Sequence, residues 1–501
     1  MCIRGVWLTT LLLVFVWACS GGGGDGSSSF PQAAWEKFRH DASNSGAAGG
    51  SITTNNLKKQ SVSIDLPAPP ATPGAISSSP AIAQDGTVYI GSEGGTLAAF
   101  DANLNLKWRK TLCEVCPPAN QALGPLISSP AVYTLNGQTS ILIGSSAIGA
   151  SASGASTGSV FVFQDSGNGQ PPPCTACFRP NPADFGSGSD VTIIASFVSS
   201  PSFTIDPVVA TINGVFIGAR VEVQQGGSTR DVGKLYALNS DGSVKWQFPR
   251  RGQPEIGPVT SSAALGAGNI WYFTAADGFL YALAADGSLR WKNAIGLTPG
   301  STSGPIPPFA PAVMTVGNYI VSPTGEGDVF AITPDQFVSF RVASVDSGIG
   351  SSLAFGGRAQ VTPTPTAVPV VSPTPPTGPT PTETATPTAG IPSFVYGVTQ
   401  SGRIVAFNPA QPTPTIFPPP QTPIAAPVIS SPALSADGFL VFGDSDGTLH
   451  ALSTADGSEL TGFPLPLTTG AIPIRSSPSI AENGTIYVGA DDGMVYAVGL
   501  P

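Results

Sequence analysis

One phrase recurs along this chain and restricts what it can fold into. It reads SSPAIAQDGTVYIGSEGGTLAAF from Ser78, SSPALSADGFLVFGDSDGTLHAL from Ser430 and RSSPSIAENGTIYVGADDGMVYAV from Arg475. In each copy a proline precedes a glycine by eleven positions: Pro80 and Gly91, Pro432 and Gly443, Pro478 and Gly489. The residues between them alternate with period two, so that Val88 and Ile90 share one face, and Asp-Gly, Asn-Gly or Gly-Gly pairs interrupt the runs. Short alternating runs of β-branched and aromatic residues between such pairs are antiparallel strands joined by tight turns. Helical periodicity persists nowhere; only WEKFRHDA, from Trp35, could form one brief helix.

Degenerate copies align on their first strands at Pro80, Pro130, Pro207, Ala263, Pro311, Leu353, Pro432 and Pro478, which makes eight units. Away from insertions they are spaced 42–56 residues apart, the period of propeller blades and not of helical solenoids. A lone blade cannot bury both of its faces, so neighbours must stack and the ring must close. The expected fold is all-β: an eight-bladed β-propeller of four-stranded antiparallel blades. The last unit ends at Pro501 after three strands, whereas LKKQSVSIDLP, from Leu57, stands before the first unit without a blade of its own. This N-terminal segment, with Ser61–Pro67 as its strand, is expected to complete the last blade and remove an exposed edge.

Two stretches fall outside the repeat. Residues 361–390, VTPTPTAVPVVSPTPPTGPTPTETATPTAG, are Pro/Thr low complexity and read as an extended, solvated insertion within the sixth unit, between SSLAF and PSFVYGVT. A second irregular region, from Gly167 to about Asp190, extends the second unit. With 60 Gly and 51 Pro in 501 residues, the chain approaches the composition of disordered sequences without reaching it, as suits a turn-dense fold. Its 31 acidic against 21 basic side chains, net charge −10, offer no source of phosphate neutralisation, so nucleic acid is not an expected partner.

The first residues carry an address. Arg4 is followed by the apolar run VWLTTLLLVFVWA and then Cys19, a pattern short for a membrane span and suited to a signal peptide. Val16-Trp17-Ala18-Cys19 resembles a bacterial lipobox, which makes residues 1–18 a lipoprotein signal peptide and Cys19 the lipidated residue; an ordinary secretory signal is the alternative. Residues 19–34, including SGGGGDGSSS, then form a flexible tether, and residues 35–501 the propeller. Ser20 after Cys19 favours outer-membrane sorting.

Three units continue into a matching phrase: LAAFDANLNLKW ending at Trp108, LYALNSDGSVKW at Trp246 and LYALAADGSLRW at Trp291. These resemble the tryptophan-docking repeat of the pyrroloquinoline-quinone-like propeller family, and WEKFRHDASNSG from Trp35 is similar to the segment that precedes such propellers. The resemblance implies that Trp108, Trp246 and Trp291 are structural, packing between adjacent blades. Phe340 and Phe463 stand near that position in other units. The family mixes dehydrogenases with cofactor-free scaffolds. An enzyme of this kind would hold the quinone and a calcium ion on the axis between a Glu, an Asn and a catalytic Asp.

The chain offers little for such chemistry. Most aspartates sit in Asp-Gly turns such as Asp85-Gly86 and Asp437-Gly438, where turn geometry accounts for them. GDSDGT and GADDGM lack the spaced ligand series of a calcium loop and read as turns. There is no CxxCH sequence, and only His40 and His450 exist; His450 occupies the position of Tyr236 and Tyr281 and reads as packing. No residue is assigned to catalysis, cofactor or metal. Four cysteines remain, in CEVC from Cys113 and CTAC from Cys174. Cys113, Cys116, Cys174 and Cys177 read as disulfides outside the cytoplasm, with a four-thiolate zinc site as the alternative. A shared site of either kind requires that VTIIASF, from Val191, not be the fourth strand of the second unit.

The function expected is a non-enzymatic, lipid-anchored envelope scaffold that binds other envelope proteins at a rim. It is similar in anchor and blade number to propeller lipoproteins of the outer-membrane β-barrel assembly machinery. The rivals are a quinone- and calcium-dependent dehydrogenase and a carbohydrate-binding propeller.

Overall fold

The computed structural model describes residues 37, 41, 45–52, 57, 59–65, 74–116, 121–135, 138–146, 158–185, 192–198, 200–206, 211–295, 313–316, 319–323, 328–335, 338–342, 351–357, 393–409, 411–416, 424 and 426–499. All belong to the unit Pro31–Pro501; the separate unit Met1–Phe30, with the expected signal peptide and Cys19, lies outside the described residues. Tether and Pro/Thr insertion also lie outside them, as does WEKFRHDA apart from Lys37 and Asp41.

Among the described residues, eight antiparallel sheets of four or five strands follow one another along the chain; in six of them the strands lie in sequence order, the third has an added strand, and the eighth takes one from the N-terminus. The first contains Ala81–Ile82, Val88–Gly91, Leu97–Phe100 and Leu106–Lys110. The second contains Ala131–Leu135, Gln138–Gly144, Val160–Asp165 and Cys174–Phe178. Pro80, Pro130, Ala263, Leu353, Pro432 and Pro478 each stand immediately before a first strand, where a residue without an N–H costs no ladder bond. Pro311 lies outside the described residues. The third unit departs from the sequence alignment: its first strand is Ser202–Asp206, so the unit opens at Pro201 and not at Pro207. The Pro/Thr insertion leaves its flanking strands adjacent, with Ala354 opposite Tyr396 and Gly357 opposite Ser393.

The eighth sheet is completed from the N-terminus. Lys59–Ser63 pairs antiparallel with Met494–Val498, Lys59 facing Val498 and Ser63 facing Met494, two residues earlier than the strand expected from sequence. Side chains anchor it on both sides. Lys59 Nζ donates to the carbonyls of Pro466 (3.2 Å) and Leu467 (2.5 Å) beside the seventh sheet. Arg109 of the first sheet donates to the carbonyls of Ile64 (2.6 Å) and Ser63 (2.8 Å). One buried cluster joins Val441 and Leu449 of the seventh sheet, Val488 and Val495 of the eighth, and Ile82 and Phe100 of the first. The segment 45–52 crosses the sixth to eighth sheets: Phe355 N donates to Ser45 O and Leu434 N to Gly46 O, both 2.9 Å, and Gly50 lies against Ala481.

The repeated phrase has a physical explanation in two serines and a glycine. The first serine bonds within its own sheet, to the end of the second strand. Gly91 N donates to Ser78 Oγ (3.3 Å), Gly443 N to Ser430 Oγ (2.6 Å) and Gly489 N to Ser476 Oγ (3.1 Å). The second serine bonds between sheets: Ser79 N donates to Ser129 Oγ (2.8 Å), Ser129 N to Ser200 Oγ (2.9 Å), Ser352 N to Ser431 Oγ (3.1 Å), Ser431 N to Ser477 Oγ (3.1 Å), and Ser477 N returns to Ser79 Oγ (2.9 Å). The glycine receives the residue that leads into the next sheet. A Cβ on Gly443 would lie 2.3 Å from Ile474, one on Gly489 2.2 Å from Ile76, and one on Gly91 2.7 Å from Leu126. Only glycine permits that approach.

Candidate functional site

The serine end of the sheets carries the turns between second and third strands, and with them the acidic residues that a calcium or quinone site would require. Most of them are engaged by the turns or by neighbouring donors, although Asp491 Oδ1 is buried without a hydrogen-bond partner. Asp277 accepts from Phe279 N (3.3 Å), Gly257 N (3.3 Å) and Tyr281 Oη (2.6 Å). Asp492 accepts from Met494 N (3.0 Å) and from the Tyr496 hydroxyl, Glu93 from the Ser77 hydroxyl, and Asp491 pairs with Arg475 (2.9 Å). Burial is the first cause of the raised pKa of Asp491, with Glu93 and Asp492 adding to it against Arg475. Among the described residues, the only group of three or more His, Cys, Asp or Glu side chains at metal-ligand distance is Cys113, Cys116 and Cys174.

Sequence reasoning missed one buried group at this end. Asp444 takes Asp446 N (3.0 Å) and Thr448 N (2.9 Å) on Oδ1, while its Oδ2 lies 3.2 Å from His450 Nε2. On the other side His450 Nδ1 lies 3.3 Å from Glu459 Oε1, and the ring stacks on Phe442 at 5.3 Å. Asp444 and His450 are buried, and Glu459 is partly buried. Burial pulls the imidazolium pKa down, but the two carboxylates outweigh it and hold it above the ordinary value. His450 is thus a packed residue that also sits between two carboxylates, which favour its protonated form. His40 lies outside the described residues.

Each tryptophan of the repeat faces an alanine across the third strand: Ala99 opposite Trp108, Ala237 opposite Trp246 and Ala282 opposite Trp291, with a bulge one residue later in every case. Phe340 holds the same register opposite Ala331. Trp108 is buried and its Nε1 donates to Asp165 of the second sheet (2.9 Å), which also accepts the Tyr89 hydroxyl (2.9 Å). Half-buried Trp246 donates to Ala285 O beyond the fourth sheet (2.9 Å), and a Cβ on Gly287 would lie 2.6 Å from its ring. Trp291 packs on Tyr272 at 5.8 Å, against a cluster shared with Ile320 and Ile332 of the fifth sheet. Phe463 is buried in the closure cluster.

The two CxxC motifs meet. CTAC lies in the fourth strand of the second sheet, and VTIIASF belongs to the third sheet. Cys113 pairs with Cys174 and Cys116 with Cys177 across Cα separations of 5.2 and 5.8 Å, within disulfide range.

The third sheet is the irregular one. Its second strand, Thr211–Gln225, and third, Ser228–Leu238, pair out to Gln225 and Ser228. The hairpin therefore passes the ordinary sheet end near Gly218 by roughly 20 Å at about 3.3 Å per residue. An added strand, Thr192–Val198, pairs with this extension on one side and forms the sheet's edge on the other. Ser200-Pro201 behind it was the signal that this segment precedes the third unit. Other outer strands carry edge-guarding residues: Lys107, Arg109 and Lys110 in the first sheet, Lys245 in the third, Arg290 and Lys292 in the fourth, Pro412 and Pro414 in the sixth. TIIASFV has neither charge nor proline.

These sheets and their docking contacts define a β-propeller, and comparison with known proteins agrees. A sequence family described as outer membrane protein assembly factor BamB matches residues 208–361. Among solved structures, BamB from Moraxella catarrhalis is similar over 88% of this chain and 99% of its own, at 15% identity and a TM-score of 0.50. Quinohemoprotein alcohol dehydrogenase from Comamonas testosteroni is similar over 94% of this chain and 80% of its own, at 14% identity and 0.54. The computationally designed Ika8 protein is similar over 86% and 97%, at 12% identity and 0.50. No curated protein sequence matches. The similarities establish the fold, which natural scaffold, enzyme and designed protein share.

Proposed function

We propose that this chain is a non-enzymatic scaffold of the bacterial outer-membrane envelope, anchored through Cys19, that holds another envelope protein by strand addition. The observation that carries this reading is the edge strand Thr192–Val198. It lies on an extension that the repeat itself does not require, and it carries neither charge nor proline, unlike the outer strands of the first, third, fourth and sixth sheets; the outer strand of the second sheet, CTACF, lacks them too but is tied down by its cysteines. Such an edge accepts an extended segment of a partner through main-chain hydrogen bonds. The similarity to BamB, an assembly factor by its description, supports the same class of role. The hydrogen bonds that Asp277 and Asp492 accept within their own turns favour a scaffold over a quinoprotein.

A photo-crosslinking residue at Ser196, in the full chain in its native envelope, should give a discrete adduct with an outer-membrane assembly component. Ile194→Lys should abolish the adduct while the thermal unfolding midpoint stays unchanged. Calcium-dependent uptake of the quinone, with a new absorbance band and dye-linked alcohol oxidation, would overturn the reading.

A further inference from the structure

The four cysteines form more than an inter-sheet staple. One arm, from Leu112–Cys113 to Gln121–Ala122, is a small hairpin after the first sheet; the other is the outer strand Cys174–Phe178 of the second. A single bridge would tie these arms, yet each contributes a full C-x-x-C. The two pairings cross between arms, so each motif gives one sulfur to each bridge. The two bridges therefore lie side by side. Cys113 Sγ and Cys116 Sγ are 3.2 Å apart, and the Sγ atoms of Cys113, Cys116 and Cys174 lie within 4.8 Å of one another. The spot is closed: these three are buried beside Trp108, Leu123, Phe161 and Phe163, with Cys177 packed against them. Glu114, inside the first motif, accepts Cys174 N (3.3 Å) and pairs with Lys110, which joins the arms independently of sulfur.

Two C-x-x-C chelates on separate segments, converging in a closed buried pocket, are the donor set of a structural zinc centre. We propose that Cys113, Cys116, Cys174 and Cys177 form one tetrathiolate zinc site in the reduced protein, and that the two disulfides are the oxidised, metal-free state of that same site. In the interconversion each disulfide takes two electrons and two protons from an external dithiol, which closes to its own disulfide. Zn²⁺ then replaces the protons of the four thiols, which pass to water. Four buried sulfurs without the ion or the bridges would be crowded thiols, or thiolates repelling one another; the cation removes that cost.

The test uses the full chain in detergent, reduced anaerobically with a phosphine and titrated with Co²⁺ as the probe. One Co²⁺ should bind per chain with sulfur-to-cobalt charge transfer and the visible bands of a tetrahedral tetrathiolate, and one equivalent of Zn²⁺ should displace it. The unreduced chain should bind none, and Cys113→Ser and Cys174→Ser should each remove the spectrum. A reduced, folded chain that takes up no Co²⁺, or keeps the spectrum in both variants, overturns the proposal. If reduction alone unfolds the chain, reduction in the presence of Zn²⁺ decides: retention of near-ultraviolet circular dichroism supports the site, and its loss overturns it.

Discussion

The junction between the first two sheets and the place where the ends of the chain meet solve one problem with different means. At the first, the linkage is local and redundant. Trp108 and Tyr89 both donate to Asp165 across the interface, and the paired cysteines join the hairpin after the first sheet to the outer strand of the second. At the second, nothing covalent is present among the described residues. The eighth sheet borrows Lys59–Ser63 from a segment more than four hundred positions away, held by a five-residue ladder and the side chains of Lys59 and Arg109. The carboxylates differ too. Asp165 is satisfied by neutral donors, and burial followed by Asp165 pushes the Tyr89 hydroxyl far above its ordinary pKa, so it stays a donor. Asp444 and Glu459, in the seventh sheet beside the closure, share a titratable histidine. A bond between neighbours in sequence costs little loop entropy and can be duplicated. Closure by a distant strand must be reached late, and it relies on packing.

The largest effect should come from breaking that closure. Consecutive residues of an edge strand point their N–H groups alternately toward and away from the ladder. Ser61→Pro/Val62→Pro together must therefore delete one donor facing Met494–Val498 and distort the strand. Losing the ladder at about 1 kcal/mol per bond, and uncovering fully buried Ile64 for about 2–3 kcal/mol, should remove several kcal/mol from a total of roughly 5–15. Urea unfolding of the variant should show a much lower midpoint. A midpoint equal to wild type would mean that the eighth sheet does not need its N-terminal strand.

Next in size is the contrast between two docking tryptophans. Trp108→Ala removes a buried indole and one of the donors to Asp165, which keeps the Tyr89 hydroxyl and Gly167 N, and should cost about 3–5 kcal/mol. Trp246→Ala, at a half-buried indole whose lost partner is a backbone carbonyl near solvent, should cost clearly less. Equal losses would show that the docking position is energetically uniform and that the Asp165 contact adds nothing.

What could be read from the sequence follows from where each signal is stored. Local period, Asp-Gly turns and the Pro-to-Gly spacing lie within one unit, so six of the eight sheet starts fall beside the residue the repeat marks. The third start was misplaced at Pro207 because the long hairpin and the added strand hide Ser200-Pro201 inside an apolar run that resembles an ordinary strand. The inter-sheet serine bonds, the meeting of the two CxxC motifs and the Asp444–His450–Glu459 trio depend on contacts between segments 46 to 398 positions apart, or on burial around a turn. His450 was legible only as a residue in a tyrosine's place. Asp444, six positions earlier, and Glu459, nine later, carry no spacing signal in a strand.

The smallest effect, and the sharpest in character, concerns the titration of His450. Its folded pKa is raised, so the trio's contribution to stability is fully present below the unfolded value of about 6.5 and is lost as pH rises through the higher folded value. Above that point Asp444 and Glu459 would face a neutral ring. Unfolding midpoints in urea should therefore decline as pH rises from about 6.5 into the alkaline range. His450→Tyr places there the residue found at Tyr281 and Tyr496, whose hydroxyls reach Asp277 and Asp492 from the matching position. A tyrosine cannot be the cation between two carboxylates, so the variant should be less stable below pH 6.5 and lose the decline above it. The Asp165 junction supplies the internal control: Asp165→Asn should leave the pH dependence of wild type intact. A wild-type midpoint that stays level across this window, or a decline that survives His450→Tyr, would remove the histidine from the account and leave the closure as neutral as the junction it was compared with.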